Sequence, residues 1–306
     1  MEEILLEPVT YYKNQKGKNI RCIICDLLGN LLNVKQDDIK LINNIIDNIH
    51  NSSLVIDDIE DNSLLRRNEI CSHIKYGIPL TLNAGYYCAF KMLMIITKHF
   101  RQQTVNKSIE FIYYVHEGQG MDIYYTNNKI IPSIEEYTKM MIYKTGYGFI
   151  MILELLIEKS NNIIMKKNKE TLEKILTNFS IFYQIRDDYI NLTDPDYWKI
   201  KGFCQDLEEG KISYLLVVFS TICNINNVAD INIVGDINIV EMMNDKTIEG
   251  KKKIVLLLNE YKIFDIIYDK LMELKTEILK EMNLEMIFDL LPVKKCNIVD
   301  IISYDL

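Results

Sequence analysis

The chain has 306 residues, of which 48% are hydrophobic and 25% are charged, the balance of an ordinary globular protein. A net charge of −8 argues against an extended basic surface and so against nucleic acid as a partner. An anionic ligand must therefore be bound by a local group of cations or by metal ions. Seven scattered cysteines, in a chain that starts without a basic and apolar leader, predict a reducing, cytoplasmic location.

Helical periodicity dominates the sequence. With only 12 glycines and 5 prolines, long helices are favoured over turn-rich sheets. Apolar residues recur at three- and four-residue intervals, which predicts helices over 21–32, 38–56, 78–99, 104–116, 134–157, 168–190, 210–223 and 249–284. The near-tandem segments 230–234 and 236–240 are interpreted as a loop, because a lone hairpin would have no sheet to join. Residues 251–253, three lysines, are interpreted as a solvated helix start.

No linker rich in Pro, Gly or Ser divides the chain, which predicts one all-α domain over residues 1–306. The apolar stretches 88–96 and 148–157 fall short of the roughly 20 residues of a membrane span, so no transmembrane segment is expected.

Two acidic clusters end apolar helical runs. Asp57, Asp58 and Asp61 close the first run, and Asp187 and Asp188 close the second. On a helix, Asp57 and Asp61 lie one turn apart on the same face, so both can bind the same hard cations. Either cluster alone is more simply a solvated helix end. Together they predict two acidic walls of one pocket, which holds a diphosphate through magnesium ions while Lys and Arg complete the site.

Six motifs then occur in order along the chain: Gly17-Lys18-Asn19-Ile20-Arg21, His50 to Arg67, Gly118-Gln119-Gly120-Met121-Asp122-Ile123-Tyr124, Lys144-Thr145-Gly146, Gln184 to Asn191, and Lys201 to Lys211. On these motifs the chain resembles the short-chain trans-isoprenyl diphosphate synthases, most closely the eukaryotic geranylgeranyl diphosphate synthases. The resemblance implies an isoprenoid synthase fold, a bundle of long helices around a central active-site cavity. It also implies a homodimer that condenses isopentenyl diphosphate with an allylic diphosphate, most simply farnesyl diphosphate, to give geranylgeranyl diphosphate.

The resemblance also implies residue roles. Three Mg²⁺ ions would be bound by Asp57, Asp61 and Asp187, with Asp58 and Asp188 acting through waters. The cations that contact the allylic diphosphate would be Arg66, Lys144, Lys201 and Lys211. The isopentenyl diphosphate pocket would consist of Gly17, Lys18, Arg21, His50 and Arg67. The oxygens of Thr145 and Gln184 would face the reacting carbons.

Product length depends on a further set of positions in the family. Farnesyl-producing relatives carry aromatic residues where this chain has Ser52 and Ser53, so the tunnel is expected to be open beyond a fifteen-carbon tail. The floor of the geranylgeranyl type would be formed by Ala89, Phe90 and His116. Ala89 replaces the usual Tyr, which leaves the depth of the floor open.

Other departures from the family pattern are Asn68 for the Gly after Arg-Arg, Tyr147 for the second Gly of Lys-Thr-Gly-Gly, and Tyr125 for a Trp. Four alternatives stay open: a farnesyl diphosphate synthase, a bifunctional C15/C20 synthase, a recruited terpene synthase, and a non-catalytic modulatory subunit. Retention of the isopentenyl diphosphate pocket favours elongation over the terpene synthase. Retention of both aspartate clusters argues against the silent subunit.

Overall fold

A computed structural model describes residues 1–15, 17–163, 167–225, 233–234 and 237–304. Over these residues the protein is all-α, as predicted, with the isoprenoid synthase fold. The N-terminal helices are α1 Glu2–Lys13, α2 Ile20–Leu31, α3 Gln36–Glu60, α4 Ser72–Tyr76, α5 Ile78–His99 and α6 Gln102–Asn128. They are followed by α7 Ile134–Met141, a π-helix Ile142–Gly146, α8 Tyr147–Lys159, α9 Lys169–Thr193, α10 Pro195–Lys201 and α11 Gln205–Glu209. The C-terminal helices are α12 Tyr214–Ile225, α13 Ile239–Met242, α14 Ile248–Glu260, α15 Ile263–Glu281, α16 Glu285–Leu290 and α17 Ile298–Ile302.

The chain divides into two compact units. The first comprises residues 1–115 and 147–177, and within it α3 packs against α1, α2, α5 and α8. One of its core clusters joins α1, α3 and α5 through Val9, Tyr12, Val55, Ile56, Ala84 and Cys88. The second unit comprises residues 116–146 and 178–306, and within it α12 packs against α7 and α15. The prediction of a single domain stays a prediction.

A tight hairpin follows the first acidic cluster. Strands β1 Leu65–Arg66 and β2 Glu69–Ile70 pair antiparallel. Between them, Arg67 and Asn68 have φ values of +55° and +66°. Two consecutive positive φ values are typical of the two-residue turns that favour Asn or Gly, because most L-residues are strained there. This turn explains why Asn68 can replace the glycine of the family pattern.

Several boundaries correct the sequence predictions. The helix predicted over 104–116 continues to Asn128, and the one predicted over 134–157 contains the π-helix. The helix predicted from residue 210 begins at Tyr214, because Gly210, with φ of +75°, ends α11 instead. The helix predicted over 249–284 breaks at Lys262, which has φ of +57°.

Two local interpretations were wrong. Strands β3 Ile233–Val234 and β4 Ile237–Asn238 pair antiparallel within the segment interpreted as a loop, while Asp230 and Asp236 lie outside the described residues. Lys251 is only 4% exposed, and its ammonium donates to the carbonyl oxygen of Phe203 at 2.9 Å. The start of α14 is therefore not fully solvated at this position.

One continuous helical stretch of the described chain, Ile134–Lys159 taken across the π-helix, is long and apolar enough to cross a membrane. In its most apolar 18 residues 67% are buried, and core helices of globular proteins satisfy the same length and composition. The stretch is weak evidence for a membrane span, and the prediction of no transmembrane segment stays a prediction.

Candidate functional site

The first acidic cluster lies at the end of α3. Asp57 Oδ2 accepts a hydrogen bond from Arg66 Nη2 at 3.2 Å, and its side chain is 21% exposed. Asp61 is exposed and follows the last residue of the helix. Two carboxylates one turn apart, both open to solvent, are oxygen donors of the kind that Mg²⁺ prefers. These residues therefore fit a magnesium ion that also binds a phosphate oxygen.

Asp58, the middle acid, has a different environment. Its side chain has no exposed surface. It accepts hydrogen bonds from Arg66 Nε at 3.0 and 3.1 Å and from the hydroxyl of Tyr12. Burial would lower the pKa of Arg66, but the neighbouring carboxylates of Asp58 and Asp57 outweigh it and raise that pKa. Asp58 therefore fixes Arg66 beside Asp57 and leaves the more exposed acids for ions.

A group of guanidinium ions surrounds His50 on the same unit. Arg21 Nη1 lies 3.0 Å from His50 Nε2. Burial and the charges of Arg21, Arg67 and Arg66 hold the pKa of His50 well below its usual range, so the imidazole is neutral and can accept this hydrogen bond. Three cations around one neutral, partly buried acceptor form a site that suits a polyanion.

Gly17 and the side chain of Arg67 lie next to each other in the first unit. A Cβ added at Gly17 would lie 2.9 Å from Cζ of Arg67, so a larger residue would displace the guanidinium. Arg67 Nη1 is held by the carbonyl oxygen of Tyr12 at 2.9 Å. Lys18 is exposed next to them. Of the five residues predicted to bind isopentenyl diphosphate, the structure thus brings Gly17 to Arg67 and Arg21 to His50.

The second unit positions Lys144 and Thr145 in the π-helix. Lys144 Nζ donates to Asp122 Oδ2 at 2.6 Å. A Cβ added at Gly118 would lie 2.3 Å from the backbone nitrogen of Lys144, so glycine alone allows this close approach of α6. Thr145 Oγ1 donates to Gln184 Oε1 at 3.4 Å, which brings together the two residues predicted to face the reacting carbons.

Asp187 and Asp188 lie in α9. Asp187 is partly exposed and Asp188 is buried, as Asp57 and Asp58 are in the first pair. Tyr197 donates to Asp187 Oδ1 at 3.0 Å. Burial would raise the pKa of Asp187, but the ammonium groups of Lys201 and Lys211 outweigh it and lower that pKa. Asp187 is therefore a carboxylate with nearby cations, suited to a metal-bridged anion.

Asp188 has no exposed surface and is satisfied by protein donors. It accepts from the hydroxyl of Tyr137 at 2.7 Å and from the backbone N–H of Tyr214 at 2.8 Å. Gln184 Nε2 and Lys211 Nζ donate to its other oxygen at 3.1 and 3.4 Å.

Lys211 also lies 3.6 Å from Asp206 Oδ2. Burial raises the pKa of Asp206 to about 7 although Lys211 acts in the opposite direction. For Lys211, burial would lower the pKa, but Asp206 and Asp188 outweigh it, so the ammonium stays charged.

The residues predicted to set product length lie in varied environments. Ser52 is buried, and its hydroxyl donates to the carbonyl of Asn48, while Ser53 donates to the carbonyl of His50. Ala89 is partly buried, Phe90 is 65% exposed and His116 is exposed. His116 therefore does not pack in a core.

The predicted metal ligands belong to both units, Asp57 and Asp61 to the first and Asp187 to the second. Their convergence on one cavity stays a prediction, as do the roles of Asp58 and Asp188 through waters. In the described part of the chain, no three His, Cys, Asp or Glu side chains are grouped so that they alone could hold a metal ion. Magnesium bound through phosphate oxygens needs only one or two protein carboxylates, so the donor set still fits.

Sequence reasoning missed the residues that hold the acids and cations in place. Asp122 and Asp206 stood inside motifs that the sequence analysis quoted, but no role was assigned to them. Tyr12, Tyr137 and Tyr197 carried no local signal, since a buried tyrosine hydroxyl is recognised only when its partner is known.

These features belong to an all-α protein with the isoprenoid synthase fold. Residues 2–238 match the family described as polyprenyl synthetase, and the chain belongs to this family. Members of this family generally use Mg²⁺, and prenyl diphosphate substrates are consistent with the family.

Curated relatives of this chain carry several names. This chain is 38% identical over 216 residues to preasperterpenoid A synthase of Talaromyces verruculosus, and the match covers 71% of this chain and 27% of the relative. It is 35% identical over 217 residues to a terpene synthase of Matsumurasca onukii, covering 71% and 70%. It is 38% identical over 213 residues to geranylgeranyl pyrophosphate synthase 2 of Gibberella fujikuroi, covering 69% and 53%. The chain thus spans little more than a quarter of the length of preasperterpenoid A synthase.

Proposed function

We propose that the protein lengthens an allylic diphosphate, most simply farnesyl diphosphate, with isopentenyl diphosphate to give geranylgeranyl diphosphate. The observation that supports this best is the pair of guanidinium ions of Arg21 and Arg67 near His50, with Arg21 Nη1 3.0 Å from His50 Nε2 and Arg67 next to Gly17. An enzyme that only ionises and cyclises a prenyl diphosphate has no second diphosphate to bind. A polycationic site beside the first aspartate cluster is what the second substrate of an elongation reaction requires.

Asp57, Asp61 and Asp187 are the proposed ligands of three Mg²⁺ ions. Asp57 is partly exposed and Asp61 exposed, and both offer the oxygen ligands that Mg²⁺ prefers. The bound ions would supply positive charge to the leaving diphosphate.

The cationic side chains bind the same diphosphate in this proposal. They are Arg66, Lys144, Lys201 and Lys211. Each is already oriented by a carboxylate or an aromatic ring, so little side-chain freedom remains to be lost on binding.

The proposed chemistry begins when the allylic C–O bond breaks and its electron pair leaves with the diphosphate. The alkene of isopentenyl diphosphate attacks the resulting allylic cation, which forms the new C–C bond. A proton is then lost to the departed diphosphate, which restores a double bond. In this proposal the oxygens of Thr145 and Gln184, which lie 3.4 Å apart, would stabilise the developing positive charge.

Product length rests on the small residues of α3 in this proposal. Ser52 is buried beside α5, where a Cβ added at Gly85 would lie 3.3 Å from the carbonyl oxygen of Ser52. An aromatic side chain at this place would be larger than serine and is proposed to shorten the tunnel. Ala89, Phe90 and His116 are the proposed floor, and their replacement would change product length if a C20 tail reaches them. A cytoplasmic homodimer completes the proposal.

A terpene synthase is the second candidate, because the relative from Matsumurasca onukii that bears this name is matched over 70% of its length. Farnesyl and bifunctional C15/C20 synthases differ from the first candidate only in product. A modulatory subunit would need no turnover at all.

Product analysis separates these candidates. The purified protein is incubated with Mg²⁺, isopentenyl diphosphate and a five-, ten- or fifteen-carbon allylic diphosphate, and products are identified by mass spectrometry. A C20 diphosphate supports the proposal, whereas a product that stops at C15 identifies a farnesyl synthase. Cyclic hydrocarbon, or diphosphate release without isopentenyl incorporation, identifies the terpene synthase. Absence of any turnover favours the modulatory subunit.

A matched pair of variants tests the pocket itself. Arg21→Gln removes a charged donor next to His50, and we expect the KM for isopentenyl diphosphate to rise roughly 10- to 100-fold, the loss of one charge-assisted hydrogen bond. Arg101→Gln is the control, because Arg101 is exposed and lies at the start of α6. Equal effects of the two variants would contradict the assignment.

A further inference from the structure

The two Asp-Asp pairs share an arrangement that no motif describes. In each pair the second aspartate has no exposed surface, and a buried tyrosine hydroxyl donates to its Oδ2. In each pair the same carboxylate also binds one of the cations assigned to the diphosphate. The two tyrosines come from different helices, α1 and α7, and each lies in the same unit as its aspartate.

Tyr12 connects three parts of the first unit. Its hydroxyl donates to Asp58 and accepts from the backbone N–H of Ser72 at 3.0 Å. The accepted bond fixes the hydroxyl hydrogen toward the carboxylate, because one donor already occupies the oxygen. Burial and the charge of Asp58 raise the pKa of Tyr12 so far that it remains a donor at any working pH.

Tyr137 has the corresponding place in the second unit. It is 1% exposed, and its hydroxyl donates to Asp188 at 2.7 Å. Burial and the charge of Asp188 raise the pKa of Tyr137 as well. Lys211 binds the opposite oxygen of Asp188 at 3.4 Å, whereas Arg66 donates to both oxygens of Asp58.

We propose that Tyr12 and Tyr137 are positioning residues that leave Arg66 and Lys211 available to a substrate diphosphate. A buried carboxylate with a single cation would hold that cation by its full charge. A tyrosine hydroxyl takes up part of that charge through a charge-assisted hydrogen bond, so the cation is oriented but can still bind another anion. This inference rests on the proposed function, which assigns both cations to the allylic diphosphate.

The first test compares Tyr12→Phe with Tyr11→Phe. Tyr11 is the neighbouring residue, and its hydroxyl donates to the carbonyl of Ile70 and not to an aspartate. For Tyr12→Phe we expect the KM for the allylic diphosphate to rise about tenfold, the loss of one hydrogen bond to a charged group. The KM for isopentenyl diphosphate should change less than twofold, because Arg67 is held by the backbone carbonyl of residue 12, which the variant keeps.

The second test compares Tyr137→Phe with Tyr189→Phe. Tyr189 is fully buried and adjacent to Asp188, but its hydroxyl does not bind that carboxylate. The same split between the two KM values is expected for Tyr137→Phe and not for the control. A purely structural role would lower thermal stability and the active fraction without separating the two substrates. An unchanged KM for the allylic diphosphate, or an equal rise for both substrates, would overturn the inference.

A double-mutant cycle keeps the test decisive if Tyr12→Phe also lowers stability. In the Asp58→Asn background, adding Tyr12→Phe should change the allylic KM less than twofold, because the charge on which Tyr12 acts is gone. Additive effects would show that Tyr12 acts elsewhere.

Calorimetric binding of inorganic diphosphate with Mg²⁺ separates this inference from the proposed function. If the wild-type protein fails to incorporate isopentenyl diphosphate, the proposed function fails. Diphosphate affinity weakened about tenfold in Tyr12→Phe and Tyr137→Phe would still support the positioning role. Absence of binding to the wild-type protein, or equal affinity in all variants, would overturn it.

Discussion

Replacing Asp58 by Ala should unfold the protein far more readily than replacing Asp61 by Ala, although the two acids belong to one motif. Asp58 is fully buried and Asp61 is exposed. In Asp58→Ala, the Arg66 side chain, itself 18% exposed, loses its contacts with Asp58 and keeps its 3.2 Å contact with Asp57. Tyr12 loses its acceptor at the same time.

The expected cost follows from these contacts. Removing one partner of a buried, hydrogen-bonded ion pair costs about 3–5 kcal/mol, because the remaining charge loses its main compensation. In Asp58→Ala, Asp57 still compensates part of the Arg66 charge, but the buried Tyr12 hydroxyl is also left without its acceptor. Removing an exposed acid usually changes stability by less than about 0.5 kcal/mol. Asp58→Ala should therefore lose about 3–5 kcal/mol in the free energy of unfolding, and Asp61→Ala almost nothing.

Urea denaturation followed by circular dichroism measures both variants against the wild-type protein. The midpoint should fall for Asp58→Ala while the slope of the free energy against urea stays unchanged. A loss below about 1 kcal/mol for Asp58→Ala, the value of an exposed pair, would refute the burial argument. Equal losses in the two variants would refute it as well.

Three more predictions concern turnover, pH and packing. Asp57→Ala or Asp187→Ala should abolish turnover with unchanged circular dichroism, and normal turnover in either variant would refute the metal role. Because the folded-state pKa of His50 is lowered, the unfolded chain takes up its proton first, so stability is retained above about pH 6.5 and falls below it by up to about 1.4 kcal/mol per pH unit. His50→Gln should flatten that part of the stability profile, and an unchanged profile would show that the histidine is protonated in the folded state. Gly118→Ala should lower the free energy of unfolding by about 1–3 kcal/mol, because the added Cβ would lie 2.3 Å from the backbone nitrogen of Lys144. Gly120→Ala, which has open space around the added Cβ, should raise it by about 0.5–1 kcal/mol. Melting temperatures that change in the same direction in both variants would contradict this reasoning.

Much of the helical framework could be predicted from the sequence. The helix over 78–99 was predicted with its observed bounds, because Pro79 occupies its first turn and the run continues to His99 without a breaker. The acidic spacing of α3 likewise indicated which carboxylates share a face.

The failures have physical causes. The helix predicted over 104–116 ended before Gly118 and Gly120, which lie inside α6; the close approach of Lys144 explains the glycine at position 118. A π-helix adds one residue to a turn without changing the apolar pattern enough to reveal it, so residues 142–146 were predicted as ordinary helix.

The candidate site was predictable only where chemistry follows the local sequence. Acids, arginines and lysines in motifs could be recognised, but Tyr12 and Tyr137 lie 46 and 51 residues from the aspartates that they bind. Such distant partners become visible only when the chain is folded. The burial of Lys251 was missed for the same reason, since its partner Phe203 lies 48 residues away.

The two aspartates of each Asp-Asp pair differ in burial, and this difference has an evolutionary consequence. If a descendant of this chain were released from selection for turnover, mutations at Asp57 and Asp61 would cost little stability, while those at Asp58 and Asp188 would still be removed by selection for a folded protein. We expect inactive descendants to lose the outer acids first and to keep the inner ones. A lone surviving aspartate at either position would then mark ancestry without activity.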